Sequence, residues 1–373
     1  MSVVILAIAL FAGIFSITGK AAEEKPAPEI ATPPETNLIF PDRTNPVFQV
    51  IKTSSAIFLK TNLNILIATN PPPNSGTRNL NTDEAENFTP RSAENVFEAQ
   101  LVLARRGISS GSLDGLLGSQ TRSAVRAFQH KENLPVTGVL DADTLFELIL
   151  TSPPFTSYSV TSNDLAQLQP SNLTWAGKAQ QSGSAYETIL EMVGEKSFSH
   201  PNFIQRLNPS VNWSKIVAGT HLQIPNIKMP AARARAAFIR IQLADKILEA
   251  FDANSNLLTH FPCSIAARME KRPAGELHVI TLAQNPNYTL DPAMFSESTG
   301  GEIKRKLIIP PGPNNPVGTV WIGLDKPTYG IHGTPQPEEV GRTESHGCFR
   351  LANWNAQFLI RLVSIGTPVY VEP

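Results

Sequence analysis

The chain has 373 residues, with 31 Lys and Arg against 32 Asp and Glu and a net charge of −1. A balance this close to zero excludes whole-chain attraction to a polyanion, so no nucleic-acid partner is expected. Hydrophobic residues make up 41% and there are two cysteines, which excludes wholesale disorder, a disulfide scaffold and a four-cysteine metal or cluster site.

Residues 3–18 are almost wholly apolar. The run is shorter than the about 20 residues a spanning helix needs, and Gly19-Lys20-Ala21 gives a small-x-small cleavage site. Residues 1–21 are therefore expected to be a signal peptide or N-terminal anchor. The protein is expected in the periplasm or cell envelope, touching membrane only through that leader if it is uncleaved. Ten prolines fall within residues 22–90, and 22–92 reads as a mostly unstructured linker. Within it, 47–70 carries more aliphatics and could pair as a hairpin.

A helical period starts near Glu94, with Val96, Ala99, Val102 and Leu103 on one face and Gly107 ending it. After the turn Ser112-Leu113-Asp114-Gly115, Ser119 is expected to cap a second helix carrying Val125 and Phe128. Beyond Leu134–Gly138, Asp141 is expected to cap a third helix holding Leu145, Leu148 and Ile149. The order Gln100, Leu103, Gly107, Leu113-Asp114-Gly115, Ala124-Val125, Phe128-Gln129 and Leu134–Gly138 closely resembles the peptidoglycan-binding domain of cell-wall enzymes, over 94–150. The resemblance implies wall attachment beside the Asp-Gly turn. Asp114 and Gly115 are either ligand contacts or only shapers of that turn.

Residues 158–226 open with a strand at Tyr158–Val160 and carry a helix at Tyr186–Val193. The ending Asn208-Pro209 followed by Val217–Pro225 is similar to the LysM glycan-binding module, which implies a small α+β segment. An insertion rich in Asn, Gln and Ser stretches the spacing after Tyr158. Sugar binding and a spacer role are both open.

From 236 the period switches to two: Phe238–Leu243, Lys246–Phe251, Leu257–Ile265, Leu277–Leu282, Thr319–Leu324, Tyr329–His332 and Pro368–Val371 all read as strands. One helix stands out, with Asn353 as expected cap and Phe358, Leu359, Leu362 and Val363 as its stripe. The fold class is thus multidomain: a small three-helix bundle, an α+β segment, then a mainly β sandwich or barrel with one covering helix over 236–373.

Chemistry concentrates at His332-Gly333-Thr334 and Ser345-His346-Gly347-Cys348-Phe349-Arg350. Acyl transfer needs a nucleophile, a base and donors to an oxyanion. Cys348 can attack a carbonyl, its pKa lowered beside a cationic or hydrogen-bonding partner. Either His332 or His346 can be the base. The Gly347 and Cys348 amides can face an oxyanion, and Arg350 can grip a carboxylate through two hydrogen bonds. A Cys263–Cys348 bridge would silence the thiol; the bland reading of Cys263 is a buried small hydrophobe. The spacing is poor for zinc, so no metal is expected.

This pattern, with twelve residues between His332 and Ser345, resembles the L,D-transpeptidases, the YkuD-like catalytic domain of bacterial cell walls. The resemblance implies that Cys348 is the nucleophile and His332 the proton carrier. His346 supports the pocket, and Gly347 lends an oxyanion amide. Arg350, Ser345, Gly333 and Thr334 line the substrate site, Arg350 either holding the substrate's carboxylate or fixing the loop and Ser345 bracing the turn rather than reacting, and Asn285–Val317 is a candidate lid. It implies peptidoglycan stem peptides and glycan as partners, inhibition by a carbapenem-class β-lactam, and no cofactor. The reaction implied is release of D-alanine from a stem tetrapeptide through a thioester, then 3–3 crosslinking to a second stem peptide. Hydrolysis by an L,D-carboxypeptidase, protein-to-wall attachment and a non-catalytic wall-binding scaffold are the alternatives.

Overall fold

The computed structural model describes residues 88–292, 305–343, 345 and 347–373. The expected leader, the linker up to residue 87, the aliphatic stretch 47–70, the middle of the Asn285–Val317 stretch and His346 lie outside the described residues.

The first unit opens with β1 (Arg91–Ser92), placed by sequence in the linker, and continues with α1 (Val96–Arg105), α2 (Ser119–Lys131), α3 (Ala142–Glu147) and β2 (Ile149–Leu150). Strand β1 pairs antiparallel with β2, which ties the two ends of the bundle together. Asn95 caps α1 and Asp141 caps α3, each accepting an amide three residues on. Ser119 is not the cap of α2: that position is Gly118, which has no side chain to offer. Helix α3 also stops earlier than its apolar spacing suggests, because Leu148 leaves the helix and Ile149 joins β2.

Two buried glutamines organise the bundle in the same way. Gln100 Oε1 accepts the amides of Asp114 (3.2 Å) and Gly115 (2.8 Å), while its Nε2 donates to Asp114 Oδ1, Leu116 O and Thr121 Oγ1. Gln129 repeats the pattern on the next turn, accepting from Thr137 and Gly138 and donating to Thr137 Oγ1, Val139 O and Thr144 Oγ1. Each turn needs its glycine, since Gly115 and Gly138 sit at φ +74° and +71°. This is an internal repeat: helix, glutamine, turn, helix.

Next come β3 (Phe155–Ser159), α4 (Ser162–Ala166), α5 (Trp175–Gln180), α6 (Ile189–Lys196), α7 (Pro201–Leu207) and β4 (His221–Pro225). Strands β3 and β4 pair antiparallel, and Val160, Met192, Val193, Ile204 and Leu222 form a small core beneath them. Helix α6 starts three residues later than Tyr186, because Thr188 Oγ1 caps it by accepting the Glu191 amide. The Asn-, Gln- and Ser-rich insertion folds into α5, whose Trp175 and Ala179 pack on Leu290, Leu307 and Ile309.

The C-terminal unit contains β5 (Phe238–Gln242), β6 (Ile247–Phe251), β7 (Leu257–Pro262), β8 (Gly275–Gln284), β9 (Tyr288–Leu290), β10 (Leu307–Ile309), β11 (Val320–Leu324), β12 (Gly330–His332), β13 (Phe349–Arg350), α8 (Asn353–Leu362) and β14 (Pro368–Glu372). Eight of these strands make one mixed sheet in the order β13-β12-β11-β8-β14-β5-β6-β7. The sheet curls far enough that Ser264, just past β7, bridges Arg350 of β13. Strands β9 and β10 form a separate pair, the described part of the expected lid. Helix α8 covers the sheet with Phe358, Leu359 and Leu362 buried, each worth about 1.5–3 kcal/mol.

Asn353 does not cap α8; Ala352 holds that position and makes no side-chain cap bond. The Asn353 amide is fully buried and serves as a hub. Its Oδ1 accepts the Thr319 and Thr334 amides at 3.1 Å, and its Nδ2 donates to Glu195 Oε1 and Oε2 at 3.0 and 3.1 Å and to Pro313 O. Burial pushes the Glu195 carboxyl up to about 8, opposed by its hydrogen bonds from Asn353 and Tyr186.

Replacing Gln100 or Gln129 with Leu strands several buried amides and carbonyls, each costing about 1–3 kcal/mol. Denaturant unfolding should show a loss of at least about 3 kcal/mol for either variant. Glu195 has a raised folded-state pKa, so the native protein holds its proton longer than the unfolded chain. Its stabilising contribution is full below the ordinary 4.5 and is lost as pH rises toward 8. Thermal melts across that window should therefore flatten in Glu195→Gln relative to the parent.

Candidate active site

The short strands β12 and β13 build the site by pairing in parallel, with Ile331 opposite Phe349 and His332 opposite Arg350. Ile331 and Phe349 point into the core, at 0% and 1% exposure. By strand alternation, Cys348, Arg350, Gly330 and His332 belong to the opposite face. The nucleophile candidate thus stands level with Gly330, one alternation step from the His332 ring.

His332 is held by a carbonyl and by a ring. Its Nδ1 lies 2.6 Å from Gly333 O, so the proton on that nitrogen is donated to a carbonyl and Nε2 keeps the lone pair. Trp321, opposite His332 in the β11–β12 ladder, stacks on the ring at 5.7 Å. Burial, reinforced by the Arg350 charge, lowers the imidazole pKa to about 4. Gly330 is required here, since a Cβ on it would come within 2.6 Å of the Trp321 ring.

Cys348 Sγ faces Thr328 O at 3.4 Å. Thr328 holds φ +71°, a rare conformation for a β-branched residue. The thiol pKa was expected to fall beside a cation. Burial instead pushes it up to about 11, with the Gly330 backbone hydrogen bond only partly opposing. At rest the pair is a neutral thiol and a neutral imidazole. Both cysteines are free, and Cys263 is fully buried in the core.

Ser345 braces the loop. Its backbone pairs with Ile265 and Ala267, and its hydroxyl donates to Cys348 O at 2.5 Å and accepts the Gly347 amide at 3.2 Å. The Gly347 amide therefore points at Ser345 rather than outward as expected. Arg350 is fastened by its backbone to Ser264 and by its guanidinium to Thr343 Oγ1 at 3.1 Å. Gly333 and Thr334, expected at the substrate, lie against the Asn353 hub: Thr334 is 3% exposed, and a Cβ at Gly333 would fall 2.0 Å from Asn353 Oδ1. Asp114 Oδ1 is likewise turned inward, accepting from Gln100 and from the Leu116 amide.

Sequence reasoning missed Trp321, Thr328, Tyr329 and Tyr288. The Tyr329 ring packs on Gly347, its hydroxyl donating to Lys271 O at 2.9 Å. Burial, with the Cys348 charge adding to it, raises the Tyr288 phenol to about 12. Only Trp321 carried a readable signal, as the residue whose alternation on β11 matches that of His332 on β12.

Residues 236–371 match the L,D-transpeptidase catalytic domain family, YkuD, and residues 92–148 match the putative peptidoglycan-binding domain family. The chain is 27% identical over 166 residues to the putative L,D-transpeptidase YkuD of Bacillus licheniformis, covering 44% of this chain and 82% of that one. It is 36% identical over 104 residues to the putative L,D-transpeptidase YqjB of Bacillus subtilis, covering 26% and 51%. Among solved structures, L,D-transpeptidase 3 of Mycobacterium tuberculosis with a faropenem-derived adduct aligns at TM-score 0.29 and 16% identity, over 43% of this chain and 76% of that one. Residues 236–371 thus form a YkuD L,D-transpeptidase catalytic domain, preceded by a putative peptidoglycan-binding domain over 92–148.

Proposed function

We propose that Cys348 attacks the carbonyl joining the L-centre of a stem tetrapeptide's third residue to its terminal D-alanine. The observation that carries this reading is the shared sheet face of Cys348 and His332, with Nδ1 of the ring held by Gly333 O. The thiol proton passes to His332 Nε2 as the carbon–sulfur bond forms. Cys348's own amide is the nearest donor to the developing oxyanion, and Gly347 contributes if its bond to Ser345 relaxes. Collapse breaks the carbon–nitrogen bond, and His332 returns the proton to the departing D-alanine amine.

The thioester keeps its acyl-transfer potential until the side-chain amine of a second stem peptide attacks. That amine loses a proton to His332, the sulfur leaves, and a 3–3 crosslink results. Water competes for the same thioester. Trp321 and Tyr329 form an apolar surround that favours aminolysis by excluding it. Arg350, whose guanidinium charge lowers the His332 pKa, keeps the ring neutral and ready to accept a proton. Substrate of this kind places the enzyme outside the cytoplasm, where the peptidoglycan-binding domain keeps it on the wall.

Purified muropeptides with mass analysis test the reaction: D-alanine release together with a dimer is expected, whereas tripeptide monomer alone would show hydrolysis. Cys348→Ala should abolish both products, and His332→Gln should lower kcat by about 10²–10⁴-fold. Because the free enzyme's imidazole titrates near 4, the acid limb of kcat/KM should fall near pH 4 rather than near the usual 6.5. A carbapenem should add its whole mass to the parent protein by ring opening on the thiol and add nothing to Cys348→Ala.

A further inference from the structure

A cleft of about 330 Å³ is lined by the start of α2 and by the loop Glu338–Arg342, in the connection between His332 and Ser345, and Gln120 Nε2 bridges the two by donating to Val340 O at 2.7 Å. The peptidoglycan-binding bundle supplies one wall and the catalytic sheet the other. Three polar side-chain atoms lining it have no protein partner among the described residues: Ser110 Oγ, Ser112 Oγ and His260 Nε2. Ser110 and His260 are 4% and 1% exposed, so bulk water does not satisfy them. His260 Nδ1 lies 3.0 Å from Glu249 Oε1 and donates to that carboxylate. With Nδ1–H committed to that carboxylate, Nε2 is left without a partner among the described residues.

Charge at the rim is of both signs. Lys246 and Arg342 stand near the first turn of α2, where Gly118 leaves the helix without a side-chain cap. Arg126 lines the cleft as well, and uncapped amides with three cations suit a carboxylate. Asp245 and Glu338 suit an ammonium group. Among the described residues no phenyl, phenol or indole ring lines the cleft, so they offer the apolar face of a pyranose nothing to stack on.

We propose that this interdomain cleft binds a short zwitterionic peptide, the peptide part of peptidoglycan rather than its glycan. The ligand's carboxylate lies between Lys246, Arg342 and the α2 amides, its ammonium faces Asp245 and Glu338, and a peptide N–H reaches His260 Nε2. The assignment deepens the wall-directed reading above. It gives the peptidoglycan-binding domain a ligand that the catalytic domain helps to hold, against the loop that leads to Cys348.

The test uses the full chain carrying Cys348→Ala, so that no probe is consumed. Calorimetry with a free stem tetrapeptide containing a diamino acid is compared with the N-acetylglucosamine tetrasaccharide. Lys246→Asn with Arg342→Gln changes two surface side chains, and Asn tolerates the positive φ of residue 246. The pair should weaken tetrapeptide binding by about tenfold or more at one of two sites and leave the tetrasaccharide unaffected. In the Cys348-containing chain, the same pair should leave D-alanine release from free tetrapeptide unchanged. That assay separates failure here from failure of the catalytic reading. Unchanged tetrapeptide binding, or a loss confined to the tetrasaccharide, overturns the proposal.

Discussion

Parallel pairing between two very short strands, β12 and β13, governs the site. Only two residue pairs make that ladder, too few to hold a register unaided. The register survives because both ends are tied elsewhere. Ser264 exchanges backbone hydrogen bonds with Arg350, and Ser345 does the same with Ile265 and Ala267. On the other side, β11 fixes His332 opposite Trp321. A slip of one residue would turn Cys348 into the core and bring Phe349 out. The buried Ile331 and Phe349 make that slip costly, so the hydrophobic core selects which face carries the chemistry.

Desolvation then sets the protonation states. Both members of the pair are driven toward neutrality, the thiol to about 11 and the ring to about 4. A buried thiolate–imidazolium pair would need strong compensation, and Arg350 opposes the imidazolium rather than supporting it. In the reaction proposed above, proton transfer would therefore accompany attack rather than precede it. This arrangement suits an enzyme whose thiol must wait beside water without being oxidised, since a neutral thiol is far less reactive than a thiolate.

Much of this was legible in the chain itself, and the reasons differ by feature. Period-two alternation marked nearly every strand of the catalytic sheet, because one face of each is buried. The short motif Ser345–Arg350 was readable because chemistry constrains residue types at fixed spacing. Caps were less legible: Ser119 and Asn353 have the right side chains, but Gly118 and Ala352 take the cap positions. Asn353 is used instead to satisfy amides that are near in space and distant in sequence. Thr328, Tyr288 and Tyr329 gave no signal, because their roles come from tertiary placement around Cys348.

The Asn353 hub also changes how the middle of the chain is understood. The insertion rich in Asn, Gln and Ser is not slack. Its Ser184 exchanges backbone hydrogen bonds with Pro311 and Asn314, and its hydroxyl donates to Pro310 O at 2.8 Å. Trp175 packs on the β9–β10 pair, its ring centroid 6.3 Å from that of Tyr288. Glu195 completes the set by accepting from Asn353, whose other face holds the turn after His332. Three separate contacts thus run from this segment to the walls of the catalytic site. A free-standing sugar-binding module would gain nothing from burying a carboxyl against a neighbouring domain. A segment that helps to shape the walls of that domain's site requires such contacts, and the protonated state favoured for Glu195 is what lets a carboxyl sit there without an opposing cation.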